Sequence, residues 1–523
     1  MDLTLPNHRL ISGFAALCLL AAPAAAEDAR RFDIEEFRVE GNSLLSAADL
    51  EIAVTPFLGP GRTADDVEKA RAALDLLYAQ RGYPTAAAEV PEQDPSDGVV
   101  VLKVVERRVG RLRVNGARYF SPNDVRRGVP SLAEGKVPNL NDVQREIVAL
   151  NQWPDRRVTP VLRPGARPGT VDVDLNIKDT LPLQASVEVA NRRSANTSAL
   201  RTSASLGYGN LWQRGDSVSL SYQVAPQRPG DTQVMSASYL YRIPGSNVAL
   251  LVSYLHSDSD VSTAGGTGVI GKGNIIGLRA QIPLGTDGPF SHSLSLGFDH
   301  KSFRDTILLG ADRTITPIAY MPLVAQYQAS WLGDGNETLV TATASLGTRG
   351  LGSDAVAFDQ KRYRAQPDFA TLRGEAIRRD DLPAGWQSSF RLTGQVAGDP
   401  LISNEQFSIG GMDTVRGFLE SEALGDWGAA LQSEIRGPAL TELIDKIIDE
   451  IRGFAFLDGA RVGIRDALAQ QARGHVLAAA GLGVRLRVLD TVSADVIGAN
   501  LLTRGPNSRE GASRLLFRVS GAF

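Results

Sequence analysis

Cysteine is all but missing from this chain. Cys18 is the only one in 523 residues, and it lies in an apolar N-terminal stretch expected to be removed. The mature chain then has no disulfide framework, no thiol nucleophile and no thiolate metal site. Long apolar runs are missing too. After the N-terminus no run of about 18 apolar residues occurs, which excludes a helical membrane protein. A membrane β-barrel stays open, because its strands are only half apolar. No strong charge of one sign is present: the net charge is −4 and Lys and Arg are scattered, so nucleic acid is not an expected partner. The five histidines (His8, His256, His292, His300 and His475) show no metal-ligand spacing. No G-x-S-x-G elbow or Walker motif occurs, and the G-T-G-V-I-G match at Gly266 to Gly271 has no βαβ context. No enzyme activity, metal or cofactor is therefore expected. Aromatic residues, at 6%, are few for a barrel with two aromatic girdles.

The N-terminus carries a targeting pattern. His8 and Arg9 precede an apolar stretch from Leu10 to Ala22, and Ala24, Ala25 and Ala26 supply small residues before Glu27. Residues 1–26 read as a secretory signal peptide. Leu17 stands before Cys18, where a lipoprotein signal needs a small residue.

Residues 32–106 and 107–179 look like two copies of one unit. One opens F-R-V-E-G-N (Phe37 to Asn42) and the other L-R-V-N-G-A (Leu112 to Ala117), each a short strand running into a Gly turn. Two helical stretches follow in each, Ser46 to Val54 and Thr63 to Arg81, then Ser121 to Gly128 and Asn139 to Asn151. Thr63 and Asn139 stand as caps before acidic residues. Two strand-like runs close each copy: Ala86 to Val90 with Val99 to Val105, then Arg157 to Leu162 with Val171 to Ile177. The predicted order is β-α-α-β-β, twice.

From about residue 181 the texture changes, and alternating segments recur roughly every twenty residues between Gly, Asn, Asp and Pro. Val218, Leu220, Tyr222 and Val224 alternate with Ser217, Ser219, Ser221 and Gln223; Phe390, Leu392 and Val396 alternate with Arg391, Thr393 and Gln395. One face is apolar, and the other is rich in Ser, Thr and Gln. A soluble sandwich would bury the first face. A membrane barrel turns it to lipid and the second to a wet lumen. Segment lengths of about nine to eleven residues favour the barrel. So does the tail, where Leu515, Phe517, Val519 and Phe523 share one face and the chain ends on an aromatic residue. The expected fold is mainly β: a C-terminal sixteen-stranded antiparallel transmembrane barrel over 181–523, preceded by two α+β modules at 32–106 and 107–179.

Several blocks in order carry a resemblance. They are R-G-Y-P-T-A (Arg81 to Ala86), L-N-Q-W-P (Leu150 to Pro154), G-N-L-W-Q-R-G-D (Gly209 to Asp216), F-S-I-G-G-M-D-T-V-R-G-F (Phe407 to Phe418) and G-D-W-G (Gly425 to Gly428). With them the chain resembles two-partner secretion transporters, the haemolysin secretion/activation type of outer-membrane protein. These are two-POTRA, sixteen-stranded relatives of the barrel-assembly insertases. The resemblance covers nearly all of the mature chain. It implies that loop 398–426 folds into the barrel with Val415, Arg416, Gly417 and Phe418 near its tip. It also implies that Arg416 pairs with a lumenal aspartate, which maps to Asp458. A lumenal pair of this kind is charge-assisted and able to pin a mobile loop. Ala460 departs from the pattern, which usually has Gly there. Glu27 to Arg31 leave no room for the plug helix that many members carry, so either the loop alone closes the pore or the resting channel is leakier.

The function implied is export across the outer membrane of a large β-rich partner protein, unfolded in the periplasm. The transporter is expected to be a monomer among outer-membrane lipid. The energy would come from the partner folding outside. Edge-strand pairing suits capture by the POTRA modules, since backbone hydrogen bonds bind with little sequence demand. Tyr83 and Pro84 would open the strand lining the capture groove, or else serve ordinary core and turn roles. Insertion of other barrels into the membrane is the alternative, against which two POTRA modules, not three to five, argue. A passive porin would have no need of the modules.

Overall fold

The computed structural model describes residues 31–523 except 152, 154, 260, 265, 266, 310, 311 and 441–447. The signal expected at 1–26, with Cys18, lies outside the described residues, as does Gly266. The chain divides into two compact units between Thr180 and Leu181.

The first unit holds two modules of the same order. In one, strand Glu36–Glu40 lies parallel to Val99–Val105, which pairs antiparallel with Ala87–Glu89; helices Ala47–Val54 and Ala64–Gln80 fall between. In the other, Arg108–Asn115 lies parallel to Thr170–Asp179, which pairs antiparallel with Arg156–Pro164, around helices Pro122–Arg127 and Leu140–Leu150. Each has its own apolar core, built on Leu74, Tyr78 and Leu102 in the first and on Val125, Val173 and Leu175 in the second. The capping residues read from the sequence are in place. Thr63 and Asp66 bond reciprocally, and the Asn139 side chain accepts from the N–H groups of Asn141 and Asp142.

The repeat extends to atomic detail. Gly41 and Gly116 both have positive φ, +81° and +82°. A Cβ there would lie 2.3 Å from the Val104 carbonyl oxygen or 2.4 Å from that of Ile177, so only Gly fits. Two residues beyond each of those carbonyls stands a carboxylate that caps the loop after the Gly. Glu106 accepts from the N–H groups of Ser43 (2.7 Å) and Leu44 (3.1 Å). Asp179 accepts from Arg118 (2.9 Å), Tyr119 (2.7 Å) and Phe120 (3.1 Å). Burial alone would raise the Asp179 carboxyl, but these three N–H donors outweigh it and hold it below the usual carboxylate range. The modules abut at the end of helix Ala64–Gln80. There the Leu140 N–H donates to the Gly82 carbonyl (2.8 Å) and the Asn139 amide to the Arg81 carbonyl (3.0 Å).

The second unit is a closed antiparallel barrel of sixteen strands. Met321 and Pro322 interrupt one of them, and its halves, Asp312–Tyr320 and Leu323–Gly333, both pair with Phe290–Leu309. The alternation turns out as the pattern requires. Leu220, Tyr222, Phe390, Leu392 and Val396 point outward and are exposed. Ser219 and Ser221 face inward and hydrogen bond to Ser238 and Ser236 on the next strand. The barrel closes between Leu183–Ala190 and Ser513–Ala522 over five residue pairs, the shortest ladder in its wall. The Asn191 side chain extends this seam, donating to the Leu515 carbonyl and accepting from the Phe517 N–H, both at 2.8 Å.

Candidate functional site: a pinned loop and the module edges

Strands in an antiparallel barrel alternate in direction, so every second connection leaves at the same rim. Loop 398–426, between strands Gln387–Ala397 and Trp427–Arg436, shares its rim with connections 191–200, 347–369, 464–473 and 502–512. It does not stand out from that rim. A short hairpin, Phe407–Ile409 against Ala423–Gly425, carries its tip inward, where Val415 and Phe418 are buried against wall residues Leu477, Ala479 and Leu501. Gly417 has φ +95°, and a Cβ on it would meet Ala499 Cβ at 2.8 Å. Both its conformation and its closeness to the wall demand Gly. Ala460, where the resemblance leads one to expect Gly, packs in the same apolar cluster.

The structure brings Arg416 and Asp458 together. Arg416 is 6% exposed and Asp458, on strand Ile448–Gly463, 1%. The guanidinium engages both carboxylate oxygens, Nε to Oδ2 and Nη2 to Oδ1, each at 2.8 Å, and the Arg416 N–H donates to Oδ2 at 3.0 Å. It stacks 3.9 Å from the centre of the Phe456 ring. Sequence reasoning missed a second acid: Arg416 Nη1 also bonds Glu434, on the neighbouring strand Trp427–Arg436. Glu434 has a second cation in Arg436 at 2.6 Å, whereas Asp458 pairs with Arg416 alone, so among the described residues it is the loss of Arg416 that strands the buried Asp458.

Four further anchors hold the same loop. Asp426, of the G-D-W-G block, is 0% exposed. It accepts from the N–H groups of Leu401 (3.0 Å) and Arg465 (2.6 Å) and from the side chains of Gln406 (2.9 Å) and Arg362 (3.4 Å). Arg362 caps the helix Ala355–Lys361 of connection 347–369. Glu405 accepts from Lys301 Nζ (2.6 Å) and the Tyr320 hydroxyl (2.5 Å). Arg192 binds Asp413 and Glu420. Glu422 accepts from the Asn507 N–H (2.6 Å) and the Ser508 hydroxyl (3.0 Å). The only signal in the sequence for these was the density of acids between Glu405 and Asp426, and it did not name their partners.

In the terminal strand Leu515, Val519 and Phe523 are exposed on the outer face and Phe517 is half-buried there, while Leu516 is buried on the lumen side.

Tyr83 and Pro84 do not open a strand. They form the turn that ends helix Ala64–Gln80, ahead of strand Ala87–Glu89. Gly82 (φ +90°) breaks the helix, the Tyr83 N–H is spent on the Tyr78 carbonyl (2.8 Å), and Pro84 has no N–H. The Tyr83 ring packs on the module core. Nor is Ala87–Glu89 an open edge. Asp75 accepts from the Ala88 N–H (2.7 Å) and Arg71 donates to the Ala88 carbonyl (3.3 Å).

The second module's edges are closed more completely. In Arg156–Pro164 the even-numbered residues turn their backbone groups outward, since Gly165 and Asp155 bond across to the neighbouring strand. Pro160 and Pro164 have no donor to offer there, and the Asn151 side chain takes both the N–H and carbonyl of Val158 (2.6 and 2.9 Å). On the other edge, the backbone of Gly135 and Lys136 bonds Val109, Glu134 takes the Leu112 N–H, and Arg126 takes the Leu112 carbonyl. Among the described residues, and within the two three-stranded sheets, Glu36–Glu40 is the outer strand without such cover.

Comparison with known proteins places these features. The family described as haemolysin secretion/activation protein ShlB/FhaC/HecB matches residues 169–486, and the ShlB-type POTRA domain matches residues 32–107. The outer membrane transporter CdiB of Dickeya dadantii is 24% identical, over 80% of this chain and 75% of its own length. The hemolysin transporter protein ShlB of Serratia marcescens is also 24% identical, over 79% of this chain and 74% of its own. The structure of CdiB from Escherichia coli superposes with a TM-score of 0.60 at 20% identity, covering 97% of this chain and 94% of that one.

Proposed function

The chain belongs to the haemolysin secretion/activation family, and from that premise we propose that it is an outer-membrane transporter of two-partner secretion, passing a secreted exoprotein through its barrel. Its barrel sits in the outer membrane and its POTRA modules in the periplasm. The exoprotein arrives unfolded, as a β-rich chain, and a single copy of the transporter among the lipids passes it outward without a catalytic step. Strand addition, where it occurs, uses Glu36–Glu40, the uncovered edge of the first module's three-stranded sheet. The observation that carries this reading is the loop 398–426 laid into a polar lumen and held by Arg416 between Asp458 and Glu434. A channel for a folding-driven polypeptide needs a wide lumen and a movable stop, and a pinned loop supplies the stop.

The test is secretion in cells that express the transporter with a candidate exoprotein, a large β-rich product of a neighbouring gene. Export should require the transporter, and Arg416→Ala should reach the outer membrane as a folded barrel yet export little. Export that continues without the transporter, while other outer-membrane barrels become scarce, would instead support insertion of barrels as the function.

A further inference from the structure

The two POTRA modules carry opposite charge. Residues 32–106 hold fifteen Asp and Glu against six Lys and Arg, a net −9. Residues 107–179 hold fourteen Lys and Arg against eight Asp and Glu, a net +6. The near-neutral total of the chain conceals this division.

Five of those fourteen cations share one surface of the second module. The helices and the core cover one face of its sheet, through Val171, Val173 and Leu175. The other face is open. Across it the register sets Arg111 and Arg163 on either side of Asp172, and Arg113 beside Asp174, with Arg157 opposite Lys178. All five cations are exposed, whereas Asp172 is half-buried and Asp174 buried beneath them. Only Arg163 has an ion pair, to Asp174 at 3.5 Å. Among the described residues Arg111, Arg113, Arg157 and Lys178 have none.

We infer that the second POTRA module holds an acidic, extended segment of the exported chain by side-chain charge on this face, and not by strand addition. Strand addition is obstructed, because Pro160, Pro164 and the Asn151 clamp occupy one edge and residues 134–136 with Arg126 cover the other. The spacing suits an extended peptide: Arg111 and Arg113, two residues apart on a strand, stand about 7 Å apart, the same interval as alternate side chains of a bound strand. Exposed guanidiniums pair with carboxylates weakly and reversibly, which lets a chain be held and then passed on. An anionic lipid surface would also attract these cations. It would at the same time repel the first module, net −9, which the Gly82–Leu140 and Arg81–Asn139 bonds tie to the second. The peptide is therefore the better occupant. The inference rests on the export reading for the source of that peptide.

The test uses full-length protein in detergent and three fluorescent twelve-residue probes that alternate Thr with Glu, Gln or Lys. Anisotropy should show the Glu probe binding more tightly than the Gln probe, with an affinity that falls as salt rises. The double variant Arg111→Glu, Arg113→Glu should weaken the Glu probe at least about tenfold, the equivalent of about 1.4 kcal/mol, and gain affinity for the Lys probe. The neutral variant Arg111→Gln, Arg113→Gln, which adds no repulsion to Asp172, should fall between. Heat-modifiable migration of the barrel and circular dichroism check that each variant is folded. Glu-probe binding that both variants leave unchanged would overturn the inference. So would equal binding of the Glu and Gln probes, or binding of phosphatidylglycerol vesicles without binding of the Glu probe. The secretion assay above separates the two readings: probe binding by a protein whose loss leaves export intact defeats the export reading and leaves the acidic-peptide site standing.

Discussion

A buried charge fixes a position only if its partner is present. Removing Arg416 leaves Asp458 buried without its cation, while Glu434 keeps Arg436, and removing Asp458 leaves Arg416 with one acid; breaking a buried pair in this way costs about 3–5 kcal/mol. Arg416→Ala and Asp458→Asn should each loosen loop 398–426 and raise the conductance of the purified protein in planar bilayers. Wild-type conductance in both would exclude a pinning role. Lys at 416 is a point charge without the two-pronged geometry, and should rescue only in part. Asp179 makes a different prediction. Its folded-state acidity lies below the ordinary value, so its contribution is complete above the ordinary carboxylate range and is lost as pH falls through the folded value. Asp179→Ala should destabilise the periplasmic unit by about 1–2 kcal/mol at neutral pH, and the difference from wild type should be unchanged between about pH 7 and 5 and vanish only below about pH 4. Chemical-denaturant titrations followed by far-ultraviolet dichroism measure it. At this scale the Arg416–Asp458 pair was reachable only through the resemblance. Nothing in the spacing of residues 416 and 458 implies contact, and Glu434 had no signal at all.

Strand edges show what a sequence pattern leaves out. The runs Ala86 to Val90 and Arg157 to Leu162 read correctly as strands, because alternation and turn residues report local geometry. Whether an edge is open depends on what packs beside it. Asp75, Arg71 and Asn151 close edges from other elements, so capture at Tyr83 and Pro84 could not be judged from the run itself. Pro160 and Pro164 were visible, but their effect needed the hydrogen-bond phase that turns both outward. Pro160→Ala with Pro164→Ala should restore two outward donors and promote edge-to-edge association, seen as a concentration-dependent larger species in size-exclusion chromatography. An unchanged elution profile would mean that the Asn151 clamp suffices. In the barrel wall, alternation placed Leu220, Tyr222, Phe390 and Val396 outward from sequence alone, since a period of two leaves each residue only two faces. The scarcity of aromatics, which argued against a barrel, is met by Leu, Val and Ile on the outer face.

Across the barrel as a whole, the loop is a shared component of five connections. Arg192, Arg362, Arg465 and Ser508 come from four different connections and converge on residues 413–426. Opening the lumen therefore requires several contacts to yield together, so one broken anchor should open the channel only partly. Arg416→Ala combined with Asp426→Ala should raise uptake of large antibiotics through the outer membrane more than either change alone. A double variant no leakier than Arg416→Ala would show that Asp426 braces the rim without holding the stop. The sequence by itself determined the repeat of β-α-α-β-β, the barrel and its two faces, and the turn glycines, because each follows from the periodicity and conformational limits of neighbouring residues. Only the tertiary structure decided which acids meet which cations, which edges stay open, and that five cations of the second module share one exposed face, because those depend on residues brought together from distant parts of the chain.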